Sequence, residues 1–311
     1  MGPDPVGEFG LIAWIRERSN SGGRVGLGIG DDCAGLTFTP GREVLVTTDL
    51  LMDGRHFLLA EAGAEAVGHK ALGVNLSDIA AMAGVPVAAF VAVALPKGSA
   101  AGVAKGLHAG MAPLLDRFGV VLAGGDTNAW DGPLVVCVTL IGEATARGAV
   151  RRSGAKVGDA VLVTGPLGGS LRGRHLRPEP RIAEALALAE AADLHAMIDL
   201  SDGLLADLGH ILEESGGLGA TLDAASVPIH PDAFALGGDP LGRALGDGED
   251  FELCFTLAPE DADRLLASPP GGVALHRVGT IDAEPGLRLR HPDGRVEGQA
   301  ARGFDHLAPE A

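Results

Sequence analysis

Six short acidic motifs, spread over most of the chain, constrain its fold more strongly than any other feature. The motifs are GIGDD at residues 28–32, TTD at 47–49, NLSD at 75–78, GGD at 124–126, DLSDG at 199–203 and GED at 248–250. Several of them follow apolar, strand-like runs, and ligands of α/β proteins often gather at the carboxyl ends of strands. Clustered carboxylates repel one another and must be solvated, protonated or bound to cations. We therefore expect a fold that brings these acids together around cations.

Composition limits the class of protein and of ligand. A chain of 311 residues, 46% of them hydrophobic, suits two modest domains. The 48 glycines favour loops and close backbone contacts. The net charge of −17 argues against a nucleic-acid partner, because such surfaces need clustered Lys and Arg. Phosphorylated small molecules remain compatible with this charge if divalent cations lie between phosphates and carboxylates.

The cysteines and the apolar runs bear on location. Cys33, Cys137 and Cys254 are odd in number and have no CxxC spacing, so we expect free thiols in a reducing, cytoplasmic compartment. The chain has no apolar run of about 18 residues and no signal-peptide pattern, so no membrane partner is expected.

Apolar periodicity predicts alternating strands and helices in an α/β (α+β) protein. The predicted strands are residues 44–49, 88–95, 120–123, 134–142, 160–164, 196–199, 251–257, 273–280 and 287–290. The predicted helices are residues 9–18, 62–83, 101–118 and 180–192, with a further helix that Ser201 caps and that ends near residue 215. The pattern breaks between residues 143 and 158, which predicts domains at 1–145 and 146–311.

Each acidic motif by itself has a simpler structural explanation. GIGDD reads as an acidic turn, GGD as a hairpin turn, and Ser201 as a helix N-cap. Asn75 and Asp78 favour a site more directly, because they lie three residues apart in an otherwise apolar helix. No P-loop, GxSxG, HExxH or paired CxxC motif is present. The glycine-rich segment 165–169 lacks a lysine partner and is interpreted as a loop.

In their order and spacing, longer versions of these motifs resemble the thiamine-monophosphate kinases, which belong to the aminoimidazole ribonucleotide synthetase superfamily. The matching segments are GIGDDCA at residues 28–34, KALGVNLSDIAAM at 70–82, GGDT at 124–127, RSGAK at 152–156, HLRP at 175–178, DLSDGL at 199–204 and GEDFEL at 248–253. The resemblance extends over nearly the whole chain, from residue 7 to residue 306.

The resemblance implies a two-domain synthetase-like fold. Its N-terminal α/β domain would bind ATP and metal and form a homodimer through its sheet, and its C-terminal α/β domain would complete the active site. The implied reaction is ATP-dependent phosphorylation of thiamine phosphate to thiamine diphosphate, by direct in-line transfer assisted by several Mg²⁺ ions.

The resemblance also implies residue roles. The implied metal ligands are Asp32, Thr47, Thr48, Asp49, Asp78, Asp126, Asp199 and Asp202, of which Asp49, Asp78 and Asp126 are the implied catalytic residues. The implied ATP-binding residues are Gly125, Asp126, Arg152 and Ser201. The implied substrate-binding residues are His56, Glu249 and Phe304. Asp31 receives no defined role, and two features depart from the family pattern: Phe304 replaces a frequent Tyr or Trp, and segment 165–175 is short.

The implied chemistry agrees with the residues present. The attacking group is itself a phosphate, already ionised near neutral pH, so the reaction needs positioning and charge neutralisation rather than a strong general base. Two alternatives stay open: another ATP-using synthetase of the same superfamily that forms a phosphorylated intermediate, and a non-enzymatic protein that binds metal or senses nucleotide. An assay with Mg²⁺, ATP and thiamine phosphate separates all three.

Overall fold

The computed structural model describes residues 7–19 and 22–301. They form two compact units: an N-terminal unit within Met1–Ile79 and Gly84–Gly148, and a C-terminal unit within Ala80–Ala83 and Ala149–Ala311. Each unit has its own β-sheet and its own buried apolar side chains. Each therefore supplies a separate scaffold for the acidic motifs that it contains.

The described part of the N-terminal unit combines helices with short and long strands. The helices are α1 (Gly7–Arg16), α2 (Leu59–Ala81) and α3 (Ala100–Phe118). The strands are β1 (Val25–Leu27), β2 (Gly35–Leu36), β3 (Val44–Met52), β4 (Val85–Pro96), β5 (Val121–Trp130) and β6 (Val135–Glu143). The predicted helices at residues 9–18, 62–83 and 101–118 each overlap one of these helices.

A four-stranded sheet with the spatial order β3-β6-β4-β5 carries the site of this unit. β4 and β5 are parallel and the other neighbours are antiparallel. Helix α3 makes the crossover that a parallel pair requires, and it packs on β4 and β5 through an apolar stripe that includes Leu107 and Met111. Along β3 the side chains alternate between faces, so Leu45 is buried while Val46 is exposed.

The C-terminal unit contains five helices, three 3₁₀ turns and seven strands among its described residues. The helices are α4 (Ile182–Ala191), α5 (Leu204–Glu214), α6 (Pro231–Ala235), α7 (Pro240–Gly246) and α8 (Pro259–Ala267), and the 3₁₀ turns are Ser170–Arg172, Arg174–Leu176 and Pro270–Gly272. The strands are β7 (Ala160–Thr164), β8 (Ala196–Asp199), β9 (Gly219–Asp223), β10 (Leu253–Leu257), β11 (Leu275–Asp282), β12 (Gly286–Arg290) and β13 (Val296–Gln299).

These seven strands form one sheet in the order β13-β12-β9-β11-β7-β10-β8. β12 and β9 are parallel and the other neighbours are antiparallel. The inner strands β7 and β10 are buried at every position. The continuous apolar run of β7 is typical of such a strand, whereas residues 251–257 are predicted as a strand from alternation. Leu204, Leu208 and Ile211 of α5 belong to the same apolar core, so the loop before α5 is held close to the sheet.

Strand β5 is the main correction to the predicted elements. The sequence predicts a strand at residues 120–123 that ends before GGD, with a hairpin turn as the simplest explanation of that motif. In the structure β5 continues to Trp130, and Gly124, Gly125 and Asp126 pair with residues 90–92 of β4. Glycine and aspartate have low strand propensity, and pairing with a neighbouring strand overrides it here.

The predicted elements also omit α6, α7 and α8. Each of these short helices begins with proline, and His230 and Asp239 cap the first two by accepting a backbone N–H bond. A capping residue followed by proline at the first helical position is a recognised start signal. For α6 and α7 this signal was therefore present in the sequence, but these helices are too short for apolar periodicity to reveal them. Helix α8 has the proline but follows Ala258, which provides no side-chain cap.

Candidate functional site

Strand β3 and helix α2 bring together three of the predicted metal ligands. Thr47 and Asp49 share the inward face of β3 because they are two residues apart. The hydroxyl of Thr47 donates a hydrogen bond to the carboxylate of Asp78, which lies on α2. The resulting acid group, Thr47 with Asp49 and Asp78, presents only oxygen atoms, the ligands that Mg²⁺ prefers.

The electrostatics of this acid group favour an added cation. The pKa of Asp49 is raised to about 7, first by burial and then by the negative charge of Asp78. Two partly buried carboxylates thus oppose each other's ionisation, and a divalent cation between them would reverse that effect. The acid group therefore fits a metal by both ligand chemistry and charge.

Thr48 is placed differently from its neighbours. Its side chain lies on the opposite face of β3, where its hydroxyl is 3.0 Å from the Thr139 hydroxyl and 3.5 Å from the Cys137 thiol. The strand period of two separates it from the side chains of Thr47 and Asp49. The structure therefore does not bring the Thr48 hydroxyl into the acid group.

The GIGDD and GGD motifs border a cavity of about 490 Å³ in the N-terminal unit. Apolar side chains from α1, α3, β4 and β5 line most of it, while Asp31, Asp32 and Asp126 contribute polar atoms. Gly125 approaches β4 so closely that a Cβ atom there would lie 1.9 Å from the Val91 carbonyl oxygen, so only glycine fits. The cavity therefore combines a broad apolar wall with a glycine-rich, acidic border.

His108 is a cavity residue that the sequence did not reveal. It lies on α3, lines the cavity, and packs edge-to-face against Trp14 with ring centroids 5.3 Å apart. Its buried Nε2 has no hydrogen-bond partner within the described part of the chain. Burial, and then the charge of Arg18, lower the pKa of this histidine. The sequence gives no sign that a single histidine in a helix lines a cavity, because this cavity forms only where α1, α3 and the sheet meet.

His56 has a clear structural role in the turn after β3. Its Nδ1 accepts a hydrogen bond from the Met52 N–H at 3.0 Å, and its carbonyl oxygen accepts one from Lys70 Nζ at 2.9 Å. Lys70 is fully buried on α2, and sequence reasoning missed it. These bonds fix the turn that carries His56, whose ring is half-buried.

Asn75 is buried inside the N-terminal unit, and its Oδ1 has no hydrogen-bond partner among the described residues. It is fully buried on α2, and its Nδ2 donates to the Ala71 carbonyl at 3.0 Å. Its position four residues after Ala71 permits this local bond within the helix. Asp78 of the NLSD motif contacts Thr47 of the acid group.

The two acidic motifs of the C-terminal unit are joined backbone to backbone. The N–H of Glu249 donates to the Ser201 carbonyl at 2.7 Å, and the N–H of Phe251 donates to the Leu200 carbonyl at 2.9 Å. Asp199, at the end of β8, is buried beside this junction. The structure thus brings the predicted ATP residue Ser201 next to the predicted substrate residue Glu249.

Ser201 is not the N-cap of α5, and this corrects the sequence-based prediction. The helix begins at Leu204 after Gly203, with no side-chain cap at that position. Asp207, within the first turn, instead accepts hydrogen bonds from the N–H groups of Asp202 and Gly203, both at 3.0 Å. Burial, followed by the charges of Asp199 and Asp202, raises the pKa of Asp207 to about 8. The Ser201 side chain is therefore not needed for capping.

The roles of two further predicted site residues, Arg152 and Phe304, stay predictions. Arg152 is exposed at the start of the C-terminal unit, and Phe304 lies outside the described residues. Among residues 7–19 and 22–301, no three His, Cys, Asp or Glu side chains form a preformed metal cluster. In the N-terminal unit the predicted acidic ligands instead lie in two places: Asp49 and Asp78 form a pair, and Asp32 and Asp126 lie at the border of the cavity.

Comparisons with known proteins follow the same division of the chain. Residues 30–144 match the AIR synthase related protein, N-terminal domain, and residues 156–292 match the AIR synthase related protein, C-terminal domain. The thiamine-monophosphate kinase of Rhodopirellula baltica is 39% identical over 310 residues, which covers 96% of this chain and 97% of that protein. The chain belongs to the thiamine-monophosphate kinase family.

Solved structures of thiamine-monophosphate kinases share this fold. The crystal structure of the enzyme from Stenotrophomonas maltophilia has a TM-score of 0.77 at 37% identity and covers 91% of this chain and 94% of that one. The structure of AaThiL complexed with AMPPCP and TMP has a TM-score of 0.76 at 29% identity and covers 99% of each chain. The family and the two-domain α/β fold predicted from the sequence are confirmed.

Two further observations concern the chain as a thiamine-monophosphate kinase relative. Cys33, Cys137 and Cys254 are free cysteines, and burial raises the pKa of the Cys254 thiol well above its usual range. No helix in the described ranges has the length and apolar character that crossing a membrane requires.

We expect Asp49→Asn to stabilise the metal-free protein at pH 8 and to have little effect at pH 4. The folded-state pKa of Asp49, about 7, exceeds the ordinary 3.8, so the folded state holds this proton more tightly than the unfolded state. Stability is then lost as pH rises between these two values, by at most about 1.4 kcal/mol per pH unit, and asparagine removes that loss.

Urea unfolding with EDTA at pH 4, 6 and 8 measures the effect. Asp131→Asn is the control, because the Asp131 side chain is 81% exposed. A stability difference between wild type and Asp49→Asn that does not grow with pH would contradict the interpretation of Asp49.

Proposed function

We propose that this protein transfers the γ-phosphoryl group of ATP to thiamine phosphate, forming thiamine diphosphate and ADP. The observation that carries the proposal is the cavity of about 490 Å³, which joins an apolar wall to the GIGDD and GGD motifs. Family membership supports it, as does the match to AaThiL complexed with AMPPCP and TMP. In this proposal residues 1–145 bind ATP and metal, and residues 146–311 complete the site.

The nucleoside of ATP fits the apolar part of the cavity. Side chains such as Leu107, Met111 and Leu122 offer surface for a flat base, and His108 offers a buried ring nitrogen for a hydrogen bond. The phosphate chain would then extend toward Gly125 and Asp126, at the glycine-rich, acidic border of the cavity. Arg152 and Ser201 are the proposed ATP contacts from the C-terminal unit.

Mg²⁺ ions are the proposed link between the phosphates and the carboxylates. Thr47, Asp49 and Asp78 would form one group of metal ligands, and Asp32 and Asp126 would be further metal ligands at the cavity border. Asp199, Asp202 and Thr48 complete the proposed set, with Thr48 limited to contacts outside the acid group. When bound, Mg²⁺ neutralises the charge of the transferring phosphoryl group.

The chain's own residues bind and orient the reactants. An oxygen of thiamine phosphate attacks the γ-phosphorus, a new P–O bond forms, and the bond to the β–γ bridging oxygen breaks, so that ADP leaves with the electron pair. No side chain needs to remove a proton, because the attacking phosphate is already ionised near neutral pH. His56, Glu249 and Phe304 are the proposed contacts to the thiamine end.

A homodimer is proposed through the open face of the N-terminal sheet. Val46 and Leu50 of β3 are 62% and 52% exposed, and alternate residues of β6 extend the same face. An apolar face of this kind marks an interaction surface. A second copy of the chain would cover it, and a reducing cytoplasm suits the three free cysteines.

We expect wild-type protein with Mg²⁺, ATP and thiamine phosphate to produce thiamine diphosphate, and Asp126→Asn to reduce kcat by about 100-fold or more. The loss follows because the amide cannot supply the negative charge that a metal requires. Chromatographic detection of the product measures turnover, and circular dichroism checks the fold. Asp131→Asn, at an exposed acid a few residues further on, should retain wild-type turnover.

If folded, metal-loaded wild-type protein forms no thiamine diphosphate, the proposed function is wrong. A near-normal rate in Asp126→Asn would instead remove Asp126 from the catalytic residues while leaving the function in place.

We expect His108→Ala to raise the KM for ATP about tenfold, with the KM for thiamine phosphate changed less than about twofold. The variant removes a ring that lines the proposed nucleoside cavity and packs on Trp14. Steady-state kinetics with each substrate varied in turn measure both constants. His210→Ala, at an exposed histidine of α5, is the control. Equal changes in both KM values would place the nucleoside elsewhere.

We expect Leu50→Glu to weaken self-association by about 100-fold or more, because the proposed interface would then bury unpaired carboxylates from both subunits. Sedimentation-velocity measurements over a concentration series report the change. Val296→Glu, which alters a 50% exposed residue of β13, should leave the assembly intact. A dimer that persists in Leu50→Glu would exclude this face of the sheet.

A further inference from the structure

The segment Gly248–Phe251 has the most unusual backbone in the C-terminal unit. Across residues 7–19 and 22–301, the non-glycine residues with positive φ are Ala83, Glu249 and Phe251, at 49°, 52° and 53°. Two of the three therefore flank Asp250, directly after Gly248 at 73°. Such conformations are strained for residues with a Cβ, and they persist only where surrounding contacts impose them. The segment is thus held against its own preference.

The loop before α5 holds one side of this segment. The N–H groups of Glu249 and Phe251 donate to the carbonyls of Ser201 and Leu200, at 2.7 and 2.9 Å. Gly248 packs so tightly against this loop that a Cβ atom would lie 2.8 Å from the Ser201 carbonyl oxygen. These contacts hold the backbone of residues 248–251 against the loop before α5.

The glycine-rich segment 165–175 holds the other side through Asp250. The Asp250 side chain is only 3% exposed. Its Oδ2 accepts the Gly168 N–H at 2.8 Å, and its Oδ1 accepts Arg174 Nη2 at 2.6 Å. The Ser170 hydroxyl adds a bond to the Gly248 carbonyl at 2.7 Å. Both carboxylate oxygens of Asp250 are therefore engaged, each by a different part of one neighbouring segment.

Asp250 is also the residue between the two strained positions. Hydrogen bonds to both of its carboxylate oxygens restrict the conformations open to Asp250, and so oppose relaxation of the φ angles of residues 249 and 251. Of the Asp250 hydrogen-bond partners in the described part of the chain, Arg174 carries the opposite charge, so it partly offsets the cost of burying that carboxylate.

We propose that Asp250, fastened by Arg174, is a positioning residue that holds Glu249 in the left-handed conformation at which its carboxylate meets the thiamine end of the substrate. This inference rests on the proposed function, which places Glu249 against thiamine phosphate. Without the hydrogen bonds of the Asp250 carboxylate to Gly168 and Arg174, segment 248–251 relaxes toward unstrained φ angles. The Glu249 carboxylate then no longer points toward the thiamine end of the substrate. Affinity for thiamine phosphate then falls, while the nucleotide cavity of the N-terminal unit is unaffected.

The test compares Asp250→Asn with a matched control. Asparagine keeps one acceptor but turns an NH₂ group toward either the Gly168 N–H or Arg174, so one of the two bonds is lost. Asp232→Asn is the control, because Asp232 is the other carboxylate near Arg174, at 3.5 Å from Nη1, and it lies on α6 rather than in segment 248–251.

Three readouts separate positioning from general destabilisation. For Asp250→Asn we expect the KM for thiamine phosphate to rise about tenfold or more, with the KM for ATP changed less than about twofold. Amide hydrogen exchange at Glu249 and Phe251 should accelerate at least about tenfold, since the relaxed segment opens the hydrogen bonds of both N–H groups to the Ser201 and Leu200 carbonyls more often. Asp232→Asn should match wild type in all three. If Asp250→Asn does not fold, Arg174→Lys replaces it as the test variant, because lysine keeps the positive charge but lacks the guanidinium group. It should show the same rise in the KM for thiamine phosphate and the same faster exchange.

Several results would overturn the inference. They are unchanged exchange and KM in Asp250→Asn, faster exchange without a change in the thiamine phosphate KM, or equal losses in Asp232→Asn. If wild type turns over no thiamine phosphate, the proposed function fails, and calorimetric titration with thiamine phosphate decides the positioning role by itself. A tenfold weaker affinity in Asp250→Asn supports the role, whereas equal affinity, or no binding to wild type, overturns it.

Discussion

Repulsion among partly buried carboxylates is the constraint on which the rest of the structure depends. Burial and the charge of Asp78 raise the pKa of Asp49 in the N-terminal unit, and burial and the charges of Asp199 and Asp202 raise the pKa of Asp207 in the C-terminal unit. Burying such groups without partners is costly. The chain meets this cost with local donors, such as the Thr47 hydroxyl, and with a site that suits cations.

The scaffold distributes these acids by simple periodicity and by backbone contact. A strand period of two places Thr47 and Asp49 on the inner face of β3 and Thr48 on the outer face, which keeps the acid group separate from the proposed dimer surface. In the C-terminal unit, backbone hydrogen bonds join the loops at residues 199–203 and 246–252 directly. Rigid placement of this kind is what phosphoryl transfer requires from a protein.

Part of the fold and of the site was predictable because its signals are local. Continuous apolar runs predicted β7 and β8 at the bounds that the structure shows, and helical periodicity predicted α3 to within one residue at its start. The structure extends β5 through GGD because strand pairing with β4 involves residues that no short window contains. It removes Ser201 from the helix cap because Asp207, although only four to five residues away, accepts the Asp202 and Gly203 N–H groups, and residue type alone does not show which side chain does so.

The sequence by itself determined the acidic motifs, their order and hence the family, since these depend only on residue type and spacing. The tertiary structure alone decided which acids share a group, that His108 lines a cavity, and that Glu249 has a strained backbone. The physical reason is that burial, pKa and strain arise from contacts between segments far apart in the chain. Asp250 illustrates this, because its partners Gly168 and Arg174 lie more than 70 residues away.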